Sequence, residues 1–195
     1  MRLSRNAAAA AALAIVIASS TGQAQEKPRE VSADGFPISF DADVLPEPLR
    51  SSLARGATKR FKQRGSDATA YIMERSSGTR DEVSRMTLVL LDPGYHYEYN
   101  HSVKASLERN DHFKKNNGRI LDNGAIATAR GSVKYAVYEI GGVHCVQYAR
   151  VFGQSGGDNY GEGDKRFTGA HCRVGGAAVD KTLVPTIASA WSFEK

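Results

Sequence analysis

The spacing of hydrophobic residues changes along the chain, and each change marks a change of element. Ala7 to Ala18 is an uncharged apolar run, preceded by Arg2 and Arg5 and followed by small residues up to Gly22-Gln23-Ala24. That order of positive, apolar and small residues predicts a secretory signal cleaved after Ala24. The run is too short to cross a bilayer, which takes about 20 apolar residues. Residues 25–44 scatter Pro28, Gly35 and Pro37 among charges and read as a flexible tether. Pro46-Glu47-Pro48 then opens a helix, because proline in a first turn gives up an N–H that has no helical partner. Leu49, Leu53, Ala57 and Phe61 recur every four residues on one side of it, and Gly65 is the expected stop.

Beyond Gly65 the period shortens. Thr69 to Glu74 and Arg85 to Asp92 are strand-like runs on either side of Ser76-Ser77-Gly78. Pro93-Gly94 makes a turn, and Tyr95 to Asn100 alternates aromatic with polar side chains. Val103 and Leu107 sit at helical spacing, but Asn110 and Asp111 interrupt it, so Val103 to Lys115 fits no single period. Asn116-Asn117-Gly118 ends that segment. Ala125 to Ala129, Val133 to Ile140 and Val143 to Phe152 follow as strands bounded by Gly131 and Gly141-Gly142, a meander of hairpins. A glycine-rich loop runs from Gly153 to Gly163, and Arg166 to Arg173 resumes the sheet. Val179, Leu183, Ile187 and Trp191 repeat in fours as a closing helix, kinked or restarted at Pro185. The expected fold is α+β: an antiparallel meander with one helix before it and one after, residues 45–195 forming one domain.

Composition narrows the setting. The 195 residues are 41% hydrophobic and 24% charged, which suits one folded domain. The formal charge of +5 falls by two, to +3, once Arg2 and Arg5 leave with the signal. A basic protein outside the cytoplasm meets anionic envelope polymers and lipids. Arg55, Lys59, Arg60, Lys62 and Arg64 would form the basic side of the first helix, and Lys114-Lys115 is a second local cluster. No nucleic-acid signature accompanies these charges. The expected location is periplasmic or secreted, with nothing left to span a membrane after cleavage and no cofactor.

Cys145 and Cys172 are the two cysteines, 27 residues apart on predicted strands flanking the glycine loop. Export favours a disulfide between them, and the absence of C-x-x-C spacing argues against redox catalysis. Each follows a histidine, His144 and His171, and alternation along a strand points neighbours to opposite faces. With Cys145 opposite Cys172, Arg173 falls opposite His144 and Val146 opposite His171. The imidazoles then share a face diagonally and read as surface histidines, and no metal site is expected there.

Gly153-Gln154-Ser155-Gly156-Gly157 satisfies the G-x-S-x-G elbow and resembles the G-D-S-G-G of chymotrypsin-like proteases, with Gln154 in place of aspartate. Gly169-Ala170-His171-Cys172 resembles their A-A-H-C. In that family the histidine precedes the serine, whereas His171 follows Ser155, and no helix can start in Asp158 to Gly163. A small serine hydrolase using Ser155 and His171 is therefore the alternative to a binding role. Asp158, Glu162 and Asp164 in the same loop leave calcium as an alternative ligand, although Tyr160 and Gly169 occupy the places where an EF-hand wants acids. Tyr95, Tyr97 and Tyr99 line one strand face, with His96 and Glu98 on the other, and could stack on sugar rings or a partner's side chains.

From Gly131 to Cys172 come Gly-Ser-Val-Lys-Tyr, Cys145-Val-Gln-Tyr, the glycine loop and Gly163-Asp-Lys-Arg-Phe-Thr-Gly-Ala-His-Cys172. This stretch resembles small exported proteins of Gram-negative bacteria with a paired-cysteine C-terminal module. The resemblance implies no catalytic residues. The expected function is that of an exported, non-enzymatic domain that binds an envelope polymer, an anionic lipid or another exported protein. The tyrosine row and the basic residues Arg55, Lys59 and Lys62 are its candidate surfaces.

Overall fold

The computed structural model describes residues 26–47, 49–65, 68–78, 83–92, 102–128, 131–153, 163, 165–174 and 179–193. Its frame is one eight-stranded antiparallel sheet built from two meanders. The first is β3 (Ala57–Arg64), β4 (Thr69–Gly78) and β5 (Val83–Asp92), numbered after the two short strands β1 (Arg29–Glu30) and β2 (Ile38–Phe40). The second is β6 (Arg119–Thr128), β7 (Gly131–Ile140), β8 (Val143–Phe152) and β9 (Lys165–Val174). They join where β5 pairs with β9, Leu88 opposite Gly169 and Met86 opposite His171. The spatial order is β1-β3-β4-β5-β9-β8-β7-β6, which leaves β6 at one edge and β1 at the other.

The antiparallel sheet follows the expected pattern most closely at β7 and β8. Gly141 and Gly142 both have positive φ, 57° and 78°, the conformation of a tight two-residue hairpin that L side chains resist. Ile140 and Val143 close that turn as a directly opposed pair.

Where one helix before the sheet and one after were expected, the described residues form four short helices, two of them between β5 and β6. The first, α1, covers only Leu49–Ala54; Leu49 and Leu53 are buried as their spacing demands. Ala57 and Phe61 continue the four-residue spacing but belong to β3, where each is paired across to β4. Four is an even number, so residues four apart share a strand face as well as a helix side, and this pattern alone cannot separate the two. Gly56 marks the break: a Cβ there would lie 2.8 Å from the Ser76 carbonyl oxygen, closer than real side chains come.

The same ambiguity affects the closing segment. Helix α4 runs Leu183–Ser189 with Pro185 in its first turn, and Trp191 has passed into a strand, β10 (Trp191–Phe193). Between β5 and β6, helices α2 (Val103–Arg109) and α3 (Asp111–Lys115) meet at Asn110. Its side-chain oxygen accepts from the Phe113 amide at 3.1 Å, so the residue that interrupts the first helix caps the second.

Of residues 25–44, expected as a tether, those described, 26–44, are instead woven in. β1 pairs with β3, Arg29 opposite Lys62, and β2 pairs with β10, Phe40 opposite Trp191. Phe36, Ile38 and Leu45 are buried.

The sheet buries both faces. On the first, Met73, Leu88, Leu90, Val146, Tyr148 and Phe167 pack under α1, α4 and the β2–β10 ribbon, with Trp191 at 3.7 Å from Phe167 between ring centroids. On the second, Val103, Leu107 and Phe113 of α2 and α3 cover Ala136, Tyr138, Cys145 and Cys172. No described helix is long and apolar enough to cross a membrane.

Candidate binding surface

The two sulfurs are joined. Cys145 and Cys172 face each other across β8 and β9 with Cα atoms 4.1 Å apart, and the bridge lies in the second-face core. A disulfide fits an oxidising, extracytoplasmic environment. The register is the one derived from the sequence: His144 opposite Arg173, and Val146 opposite His171. The expectation of two surface histidines holds only for His144, which is half-buried. His171 is fully buried between Met86 and Val146 on the first face. Apolar neighbours on the adjacent strands decide this, and they are not near it in sequence.

His144 belongs to a polar row running Arg119, Glu139, His144, Arg173 across four strands. Arg119 donates to Glu139 at 2.8 Å and, chiefly through that bond, holds the Glu139 carboxyl below its ordinary value. At the far side of β6, Asp122 accepts from Lys181 at 3.0 Å and from the Tyr135 hydroxyl at 3.3 Å. The Lys181 bond is the main reason the Asp122 carboxyl is more acidic than usual, and Asp122 in turn holds Lys181 more basic. Tyr138 and Tyr148 are fully buried, and burial pushes both phenols upward.

Ser155 lies outside the described residues, and the fully buried His171 offers no surface to a substrate. Asp158, Glu162 and Asp164 lie outside them too, as do Tyr95, His96, Tyr97, Glu98 and Tyr99.

The basic residues are placed, and differently from the expected helix. Arg55 follows α1 and its Nε donates to the Ser51 carbonyl at 3.1 Å. Lys59 and Lys62 sit on β3, three positions apart, and so point to opposite faces, Lys59 across from Glu74 and Lys62 across from Tyr71. The three do not make one patch. A different set does. Arg60, Lys62 and Arg64 occupy alternate positions of β3 on the first face, about 6.8 Å apart at the usual strand rise. Arg29 of β1 lies opposite Lys62, and Arg75 of β4 faces the same way.

This row is supported by rings, and among the described residues no carboxylate pairs with it. The Arg60 guanidinium sits 6.0 Å from the Phe36 ring centroid, Lys62 Nζ 5.1 Å from Tyr71, and Arg75 5.2 Å from Phe40. The charged heads of Arg60 and Lys62 thus lie over rings, and the Arg75 guanidinium, besides its ring, donates through Nη2 to the Ala54 carbonyl at 3.2 Å. Ion pairs join Arg50 with Glu47, Lys104 with Glu108, Lys114 with Asp111, Arg119 with Glu139 and Lys181 with Asp122. None involves the row. Arg75, half-buried, is made less basic first by burial and then by repulsion from Arg60. Such an array can hold a linear anion with repeated charges. The sequence did carry its signal, the i, i+2, i+4 spacing of Arg60, Lys62 and Arg64, which a helical reading hides.

No protein-family model, curated protein or solved structure matches the chain.

Proposed function

We propose that this protein is an exported, non-enzymatic domain that binds a phosphate- or carboxylate-bearing polymer of the cell envelope through the first-face row of Arg29, Arg60, Lys62, Arg64 and Arg75. The observation that carries this reading is a line of cations, with no carboxylate partner among the described residues, set along one strand and its neighbours. A strand presents charges in a straight file, which suits a linear polyanion better than a single small anion. The N-terminal signal pattern and the disulfide support the extracytoplasmic setting.

The test uses fluorescently labelled linear polyphosphate, with vesicles containing phosphatidylglycerol as a second probe. Polyphosphate should bind, weaken steeply with salt, and lose about tenfold or more in affinity in Arg60→Gln/Lys62→Gln/Arg64→Gln. The pair Lys114→Gln/Lys115→Gln on α3 should leave binding unchanged. Equal losses in both variants, or binding to vesicles alone, would overturn the reading.

A further inference from the structure

The two edges of the sheet are not alike. At one, β3 carries Arg60, Lys62 and Arg64 and is partly covered by the two-residue β1. Short cover strands and charges are how proteins keep an edge from pairing with another chain. At the other edge, β6 has ten residues and, among the described residues, no outer neighbour. Asn123, Gly124, Ala125 and Ala127 are exposed. Helices α2 and α4 touch β6, but both rest on faces of the sheet, so neither covers the side of the strand. Every second residue there turns its N–H and C=O away from β7.

That edge is also electrically quiet. Its two charged residues are spent internally, Arg119 on Glu139 and Asp122 on Lys181, and Asn123 to Thr128 contains neither a charge nor a proline. With a net charge of +3 once Arg2 and Arg5 have left with the signal, the protein repels its own copies over most approaches. Here it does not.

We propose that β6 pairs antiparallel with β6 of a second copy of this chain, centred on Ala125. A two-fold axis normal to the sheet sets Ala125 opposite itself, Gly124 opposite Ile126, Asn123 opposite Ala127 and Asp122 opposite Thr128. Opposed residues keep to the same face, the branched Ile126 lies across from a glycine, and no like charges meet. The bulge between Ile120 and Asp122 bends the strand away and ends the ladder on that side. A two-fold pairing needs this kind of self-complementarity, which favours a second copy over an unrelated strand.

Light scattering coupled to size exclusion, across the micromolar range, should find a dimer of the purified protein. Ala125→Lys places two ammonium groups face to face and should weaken dimerisation by about tenfold or more, with an unchanged circular-dichroism spectrum. Ala125→Cys should give an oxidised dimer linked through the two introduced thiols, whereas Val44→Cys, also exposed but outside β6, should not. A protein that is monomeric throughout the range, or a dimer indifferent to Ala125→Lys, would overturn the proposal. Polyphosphate binding is read separately, so failure of either proposal leaves the other standing.

Discussion

Gly169 has no side chain, and Tyr148 on the neighbouring strand takes the space: its ring atoms are the nearest neighbours of a Cβ built there. Tyr148 is fully buried and packs 6.0 Å from Phe167, which in turn meets Trp191, so the ring has nowhere to retreat. Gly169→Val is expected to cost about 3 kcal/mol, at the high end for overpacking, seen as a lower midpoint in urea. A midpoint equal to the parent's would mean that the ring is not held over the glycine. At this scale the sequence was legible where parity decides. The pairing of His144 with Arg173 and of Val146 with His171 followed from alternation alone. The burial of His171 did not, because it depends on Met86, brought alongside by a strand 80-odd positions earlier in the chain.

Helices and strands were legible in proportion to how locally they are specified. The β7–β8 hairpin announces itself through Gly141-Gly142, and Val143 to Phe152 is a strand with the bounds expected. The α1–β3 boundary was hidden because Leu49, Leu53, Ala57 and Phe61 satisfy both periods, and with it went the correct placement of Arg60, Lys62 and Arg64. β1, β2 and β10 have two or three residues each, and a segment that short becomes a strand only through its partner. The contact between α4 and β6 is tied by Lys181 and Asp122. The Asp122 carboxyl is depressed in the folded protein, so its contribution is complete above the unfolded value, about 3.9, and disappears as pH falls through the lower folded value. Asp122→Asn should therefore lower the melting temperature at neutral pH and leave a smaller drop on acidification below about pH 4 than in the parent. Parallel melting curves against pH for the two proteins would show that the pair contributes nothing.

For the molecule as a whole, the α+β class and the antiparallel sheet were readable, while the strand order was not: nothing near β5 names β9 as its neighbour. The Cys145–Cys172 bond closes a 27-residue interval and is expected to contribute about 3.5 kcal/mol by restricting the unfolded chain. Urea unfolding of Cys145→Ala/Cys172→Ala against the oxidised parent measures it, and equal stabilities would remove the staple from the account. The β5–β9 seam carries a further consequence. Until the last long strand is synthesised and docked, β3, β4 and β5 are a three-stranded ribbon with a bare flank. Any product of interrupted translation or proteolysis that ends before Lys165 keeps that flank permanently, and such fragments are apt to stick to one another. The burden on chaperones and degradative proteases thus falls on unfinished copies of this protein rather than on finished ones.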